Sequence, residues 1–183
     1  LNGEAHRPVN VLQLTHSGRY SRPHGHKAAP IVPQHDPLLD PRVGLAPDAP
    51  VVTDAYLDDL IGRYVASAKL AREAGFDGVD IKSCHRYLLS ELLASHTRKG
   101  KYGGSFENRS RFLRSIITEA KRRCGPDFAV HTLFNIVEYN HPLATTVEEG
   151  AQMAALIAEA ADGINVRAER YGHRGGLIQP DRI

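Results

Sequence analysis

Lys82, His85 and Tyr87 fall within six residues of one another, with Ser83 and Cys84 between them. A tyrosine can donate a proton and recover it from water, and His and Lys can each hold a developing oxyanion. Other polar groups follow short apolar runs elsewhere: Gln13, Thr15, His16 and Arg19; then Asn135, Glu138 and Tyr139; then Asn165, Arg167, Glu169 and Arg170. Each, taken alone, has an ordinary reading as a loop-packing or solvated residue. A buried tyrosine usually serves the core with its hydroxyl satisfied. Cys84 has no thiol partner nearby in sequence and reads as a small apolar filler. His24 and His26 have a metal-like spacing, but they lie in a Pro/Gly-rich loop without a third ligand at a telling distance. A solvated pair is the simpler reading there, although ten histidines keep a metal-dependent barrel hydrolase in view.

The elements that must position these groups alternate. Val9 to Leu14 is a short apolar run closed by Ser17-Gly18, which reads as a buried strand and its turn. Residues 21–50 hold most of the prolines and read as a long excursion, not a packed element. Thr53 is the expected N-cap of a helix over Asp54 to Ala74, with Leu57, Leu60, Ile61, Tyr64, Val65, Ala68 and Ala71 at helical spacing and Gly75 as its stop. Gly78 to Ile81 is the next strand, followed by a short helix through Tyr87, Leu88, Leu89, Leu92 and Leu93. Gly103-Gly104-Ser105 turns into a helix from Phe106 to about Arg123, capped by Ser105 and favoured by Glu107 at its positive end. Phe128 to Phe134 is a third strand, Val147 to Ala161 a helix, and Gly163 to Val166 a fourth strand. This rhythm is that of a parallel α/β sheet with crossover helices. In either parallel architecture, open or barrel, these polar groups gather beyond the carboxyl ends of the strands. Periodicity does not separate the two. No Gly-x-Gly-x-x-Gly follows a strand, which removes the simplest dinucleotide site. A barrel needs eight strands, so four make half of one.

Composition excludes several classes. With 23 Lys+Arg against 21 Asp+Glu the formal charge is +2, and no block of like charge suggests a nucleic-acid binder. No apolar stretch is long enough for a membrane span. Two cysteines in 183 residues argue against a disulfide scaffold and fit a reducing, cytoplasmic setting. The chain opens on Leu1 and its only methionine is Met153, as expected of a piece of a longer protein.

Three passages give the chain a family likeness. VLQLTHSGRYSRP (Val11 to Pro23) and AGFDGVDIKSCHRYLLSELLASHTRKGKYGGSFENRSRF (Ala74 to Phe112) resemble the third strand, and the fourth strand with its helix, of the Old Yellow Enzyme family. In the second, Tyr-Gly-Gly-Ser-x-Glu-Asn-Arg-x-Arg-Phe is close to diagnostic. Gly125 to Asn135 and Asp162 to Val166 match more weakly. The resemblance implies an FMN-dependent NAD(P)H:flavin oxidoreductase on a (β/α)8 TIM barrel, with strands three to six present as one partial FMN-binding domain over residues 1–183 and no second domain visible within them. The wording around Gln13 and Asn165 is most similar to the branch containing 2,4-dienoyl-CoA reductases and trimethylamine dehydrogenase. An iron–sulfur cluster, where that branch has one, would lie C-terminal to this sequence.

Position by position, the resemblance makes Gln13 the glutamine that hydrogen-bonds the flavin pyrimidine edge, a role suited to a carboxamide that both donates and accepts. It makes Tyr87 the proton donor to the substrate α-carbon, His85 the second member of the pair that holds the substrate carbonyl, and Asn165 a residue beside flavin or substrate. His173 falls near a histidine that assists protonation in the dienoyl-CoA reductases. Two positions depart from the pattern. Lys82 stands first in the carbonyl-holding pair, where His or Tyr is usual; it can donate to an oxyanion as a mobile ammonium, and its charge shifts the substrate range. Leu133 stands where the fifth strand normally supplies an arginine to the reduced flavin, which weakens flavin binding or shifts its potential unless another cation such as Lys82 compensates. The expected activity is reduction of an activated C=C bond by NADH or NADPH through FMN. The expected partners are a small-molecule substrate and further copies of the chain. The alternative is a degenerate member that binds a ligand without turnover. Half a barrel alone, with two unpaired sheet edges, is expected to be inactive.

Overall fold

The computed structural model describes residues 7–139 and 145–170. Four strands, β1 (Val11–Leu14), β2 (Gly78–Ser83), β3 (Ala129–Tyr139) and β4 (Gly163–Arg170), form a sheet in the order β1-β2-β3-β4, and each neighbouring pair is parallel. The connections carry helices α1 (Asp40–Val43), α2 (Asp54–Glu73), α3 (Leu88–Leu93), α4 (Phe106–Cys124) and α5 (Val147–Ala158). A doubly wound sheet reverses its strand order and carries helices on both faces. Here the order follows the chain, and α2 packs on α4 and α4 on α5. These are consecutive units of a (β/α)8 barrel, which resolves what periodicity leaves open.

The two faces of the sheet differ in chemistry. Val79, Ile81 and Val130 are fully buried and join Leu57 and Leu60 of α2 and Ile116 of α4 in the hydrophobic core. The alternate positions fall in rows on the other face: Gln13, Asp80 and His131 in one, Lys82, Leu133 and Asn165 in the next. None of those six belongs to the core cluster. In a closed barrel this face is the interior.

The helix starts are set locally. Thr53, Ser105 and Thr146 each accept a hydrogen bond from the backbone N–H three residues on, satisfying a donor that the helix leaves open. The strand ends are less well anticipated. β3 reaches Tyr139 and β4 reaches Arg170, so Asn135, Glu138, Tyr139, Asn165, Arg167, Glu169 and Arg170 lie within strands, not beyond them. Lys82 and Ser83 likewise close β2. A strand with one polar face continues past the end of its apolar run, and a search for apolar runs stops too early. At the other end β1 starts at Val11, two residues later than expected, and Val9 is exposed.

Residues 21–50 also depart from expectation. They are an excursion, but part of it is packed: Val32 and Leu39 are buried, and α1 closes on Gly44 in the left-handed region. Arg98 fastens this stretch by donating to the carbonyls of Pro33 (3.1 Å) and Val52 (2.9 Å) and to Asp54 (2.6 Å). Among the described residues no helix is long and apolar enough to cross a membrane.

Candidate active site

The loop between β2 and α3 brings three of the expected groups together. Lys82, on the inner face at the end of β2, places its Nζ 4.1 Å from the centroid of the Tyr87 ring. The His85 ring meets the edge of Tyr87 with centroids 6.2 Å apart, and Tyr20 tilts against the same ring at 5.8 Å. Tyr87 sits in extended conformation at the N-cap of α3, just before the helix into which periodicity puts it. The preceding two residues bend the chain sharply: His85 has φ 63° and Arg86 φ 53°. A side chain in the left-handed region costs about 1 kcal/mol or more per residue, and such strain persists only where surrounding structure imposes it. Arg86 is 1% exposed, and its charge acts on the buried Glu91 of α3. The amide of Leu88 donates to the carbonyl of His16, tying the loop to the end of β1. His85 is pushed down to about 4, first by burial and then by the charges of Lys82 and Arg167, so its imidazole is neutral at physiological pH.

Gln13 and Asn165 share the inner face with Lys82 at different depths. Asn165 lies in the row of Lys82, across Leu133, and Gln13 lies one pleat back, paired with Asp80. The side-chain amide of Gln13 donates to the Asp80 carboxylate at 2.7 Å. A carboxylate only accepts, so this contact fixes which end of the carboxamide is nitrogen. Among the described residues the Gln13 oxygen has no partner. Leu133 is 8% exposed and brings no charge to the row. The donor set therefore suits a planar ring edge carrying N–H and carbonyl groups: a polarised carboxamide at Gln13, an ammonium at Lys82 and an amide at Asn165. Asp80, Arg86 and Tyr20 are the neighbours that reading strand ends alone misses. Period-two alternation on β2 finds Asp80, whereas the left-handed backbone at Arg86 leaves no sequence signal.

Other expected residues turn out to build the scaffold. Arg19 is 1% exposed and is enclosed by the carboxylates of Glu91 (2.5 Å) and Asp40, away from the inner face. His16 accepts from the amide of Gly18 at Nδ1 (3.0 Å), which puts its proton on Nε2, 2.9 Å from the Tyr56 hydroxyl. Gly18 has φ +55°, and a Cβ there would stand 2.5 Å from the backbone nitrogen of Leu88. The Gly-Arg pair is thus a close approach followed by a buried ion pair. Ser83 turns to the back of the sheet, with its hydroxyl 2.8 Å from that of Thr132. Cys84 is fully buried, as a filler should be, and its sulfur lies 3.4 Å from Nδ1 of His85. His24 and His26 are exposed, and no metal-binding cluster exists among the described residues. The Tyr-Gly-Gly-Ser passage is structural too. The Tyr102 hydroxyl donates to Asp58 at 2.5 Å, and a Cβ on Gly103 would collide with Arg98. Arg109 donates to the Leu93 carbonyl at 2.6 Å and pairs with Glu149. His173 lies outside the described residues.

The sequence profile of the NADH:flavin oxidoreductase / NADH oxidase family matches residues 7–173. The chain belongs to that family. Members of this family, the Old Yellow Enzyme group, use FMN with NADH or NADPH. The chain is 31% identical over 176 residues to an NADH oxidase of Thermoanaerobacter brockii, covering 94% of this chain and 26% of that protein. It is 34% identical over 177 residues to an NADPH dehydrogenase of Geobacillus sp., covering 94% and 46%. Among solved structures, histamine dehydrogenase from Rhizobium sp. superimposes with a TM-score of 0.72 at 24% identity, covering 87% of this chain and 24% of that one, which supports the barrel fold. The chain spans about a quarter to a half of the length of these oxidoreductases.

Proposed function

We propose that these residues form part of the active site of an FMN-dependent NAD(P)H oxidoreductase that reduces an activated C=C bond. The observation that carries the reading is the gathering of the Lys82 ammonium and the His85 ring against Tyr87, at the carboxyl end of β2. The chemistry that FMN would supply here, when bound and reduced by NADH or NADPH, is hydride transfer. Gln13, held in one orientation by Asp80, would offer its oxygen to the flavin edge, and Asn165 and Lys82 would help to hold the ring. His85, kept neutral, and Lys82 receive the substrate oxygen on which negative charge develops. Tyr87 delivers its phenolic proton to the α-carbon and regains one from water. With Leu133 apolar, Lys82 in the adjacent register position supplies positive charge to the row. The setting is cytoplasmic.

Tyr87→Phe in the full-length protein tests this. Removal of a general acid slows alkene reduction by about 10²-fold or more. Flavin reduction by NAD(P)H in a stopped-flow half-reaction is expected to change little. An equal loss in both half-reactions overturns the proton-donor role. Leu133 favours a second reading, a member that binds ligand without turnover; a full-length protein that binds FMN but is never bleached by NADH or NADPH would establish it.

A further inference from the structure

We propose that the substrate is an α,β-unsaturated carboxylate, its anionic oxygens received by the Lys82 ammonium, in preference to a neutral carbonyl compound of the same shape. The proposal rests on the reductase reading above and adds the substrate class. A neutral carbonyl needs only hydrogen-bond donors, which two uncharged side chains could provide. Here one of the two donors is a full positive charge. Among the described residues no carboxylate lies within ion-pair distance of Lys82, whose Nζ instead rests over the ring of Tyr87, 4.1 Å from its centroid. Asp80, the carboxylate on the same face of β2, is engaged by Gln13 instead. A cation–π contact is generally weaker than a hydrogen bond to a charged group. An incoming carboxylate can therefore recruit the ammonium without first breaking an ion pair. Leu133, beside Lys82 in the sheet, is apolar and strengthens the charge interaction by excluding water from one side. The neutral imidazole of His85 completes the pair as an uncharged donor.

The charge also answers a chemical need. A conjugated carboxylate is a poor hydride acceptor because its negative charge opposes more electron density on the alkene. Hydride from FMN reduced by NAD(P)H forms a C–H bond at the β-carbon and breaks the C=C π bond, whose electron pair moves onto the α-carbon and carboxylate oxygens. The proton of Tyr87 then forms the second C–H bond at the α-carbon. The alkene gains two electrons and two hydrogens, the flavin loses two electrons, and a saturated carboxylate leaves. The ammonium sits where the extra oxygen charge accumulates.

The test uses the full-length protein with FMN and two probes of equal shape, crotonate and crotonamide, with binding read from the flavin absorption spectrum. Crotonate is expected to bind about tenfold tighter than crotonamide, in line with a charge-assisted hydrogen bond, and the ratio should fall as KCl is raised. Lys82→Met is expected to bring the ratio to one or below, and Lys82→Arg to keep most of it. A wild-type ratio of one or less overturns the carboxylate assignment, as does a ratio that Lys82→Met leaves unchanged. In both cases an NAD(P)H-bleachable flavin would leave the reductase reading standing. A full-length protein that binds no flavin overturns both.

Discussion

Arg19 separates a scaffold role from a catalytic one, and its substitution by methionine has a size that the structure sets. The guanidinium is 1% exposed, with Nε 2.5 Å from Glu91 Oε1 and Nη1 on Asp40. Glu91 is itself 2% exposed, and its Oε2 has no partner. Burial raises the Glu91 carboxyl to about 7 against the opposing pull of Arg19, so the arginine is what keeps charge tolerable there. Removing one partner of a buried pair costs about 3–5 kcal/mol, because the other charge stays behind, whereas replacing the whole pair with apolar groups of similar volume is often neutral. Arg19→Met in the full-length protein should therefore lose about 3–5 kcal/mol in urea unfolding, read at constant m-value. Arg19→Met combined with Glu91→Gln should recover part of that loss, because the stranded carboxylate is gone and an amide still faces Arg86. A single variant that loses less than about 1 kcal/mol, or a double variant whose losses simply add, refutes the assignment of Arg19 to a buried ion pair.

Gly18→Ala should cost about 2 kcal/mol or more in the same unfolding assay, because a left-handed residue alone costs about 1–2 kcal/mol and the new Cβ overlaps the Leu88 backbone; near-wild-type stability would show that the loop after β1 does not pack on α3 as described. Ser105→Ala removes the cap that accepts from the Asn108 amide and should cost about 1 kcal/mol, with no change in the affinity for FMN measured by fluorescence quenching. His85 should titrate near 4 in an NMR pH series; its folded-state value is below 6.5, so its contribution to stability is present above pH 6.5 and is lost as pH falls toward 4. A midpoint at or above 6.5 would contradict the placement of His85 beside Lys82 and Arg167.

The βα rhythm is legible in the sequence because the outer face of each strand and the facing stripe of each helix are apolar, as Val79, Ile81, Leu57 and Ile116 show. The lengths of β3 and β4 are not, because their inner faces carry His131, Asn135, Asn165 and Arg167, which look like loop residues when counted without alternation. The same cause puts Asp80 out of sight. The Lys82, His85 and Tyr87 grouping is legible because six consecutive residues, from the end of β2 into the following loop, hold all three. The part played by Arg19 is not, because its partners lie 72 and 21 residues away in the chain and only the fold brings them together. The two left-handed residues before Tyr87 have ordinary side chains, and tertiary packing alone sets their backbone. The most recognisable stretch, Tyr102 to Phe112, serves to seat α4 on α2 and α3: what is easiest to recognise here builds the scaffold.

The visible absorption spectrum of the full-length protein, recorded after incubation with FMN and again after anaerobic addition of NADH or NADPH, tests the assignment of the inner face most directly. A retained flavin band that bleaches with the nicotinamide and returns on addition of an activated alkene is the expected result. A folded, colourless protein that takes up no FMN would contradict it.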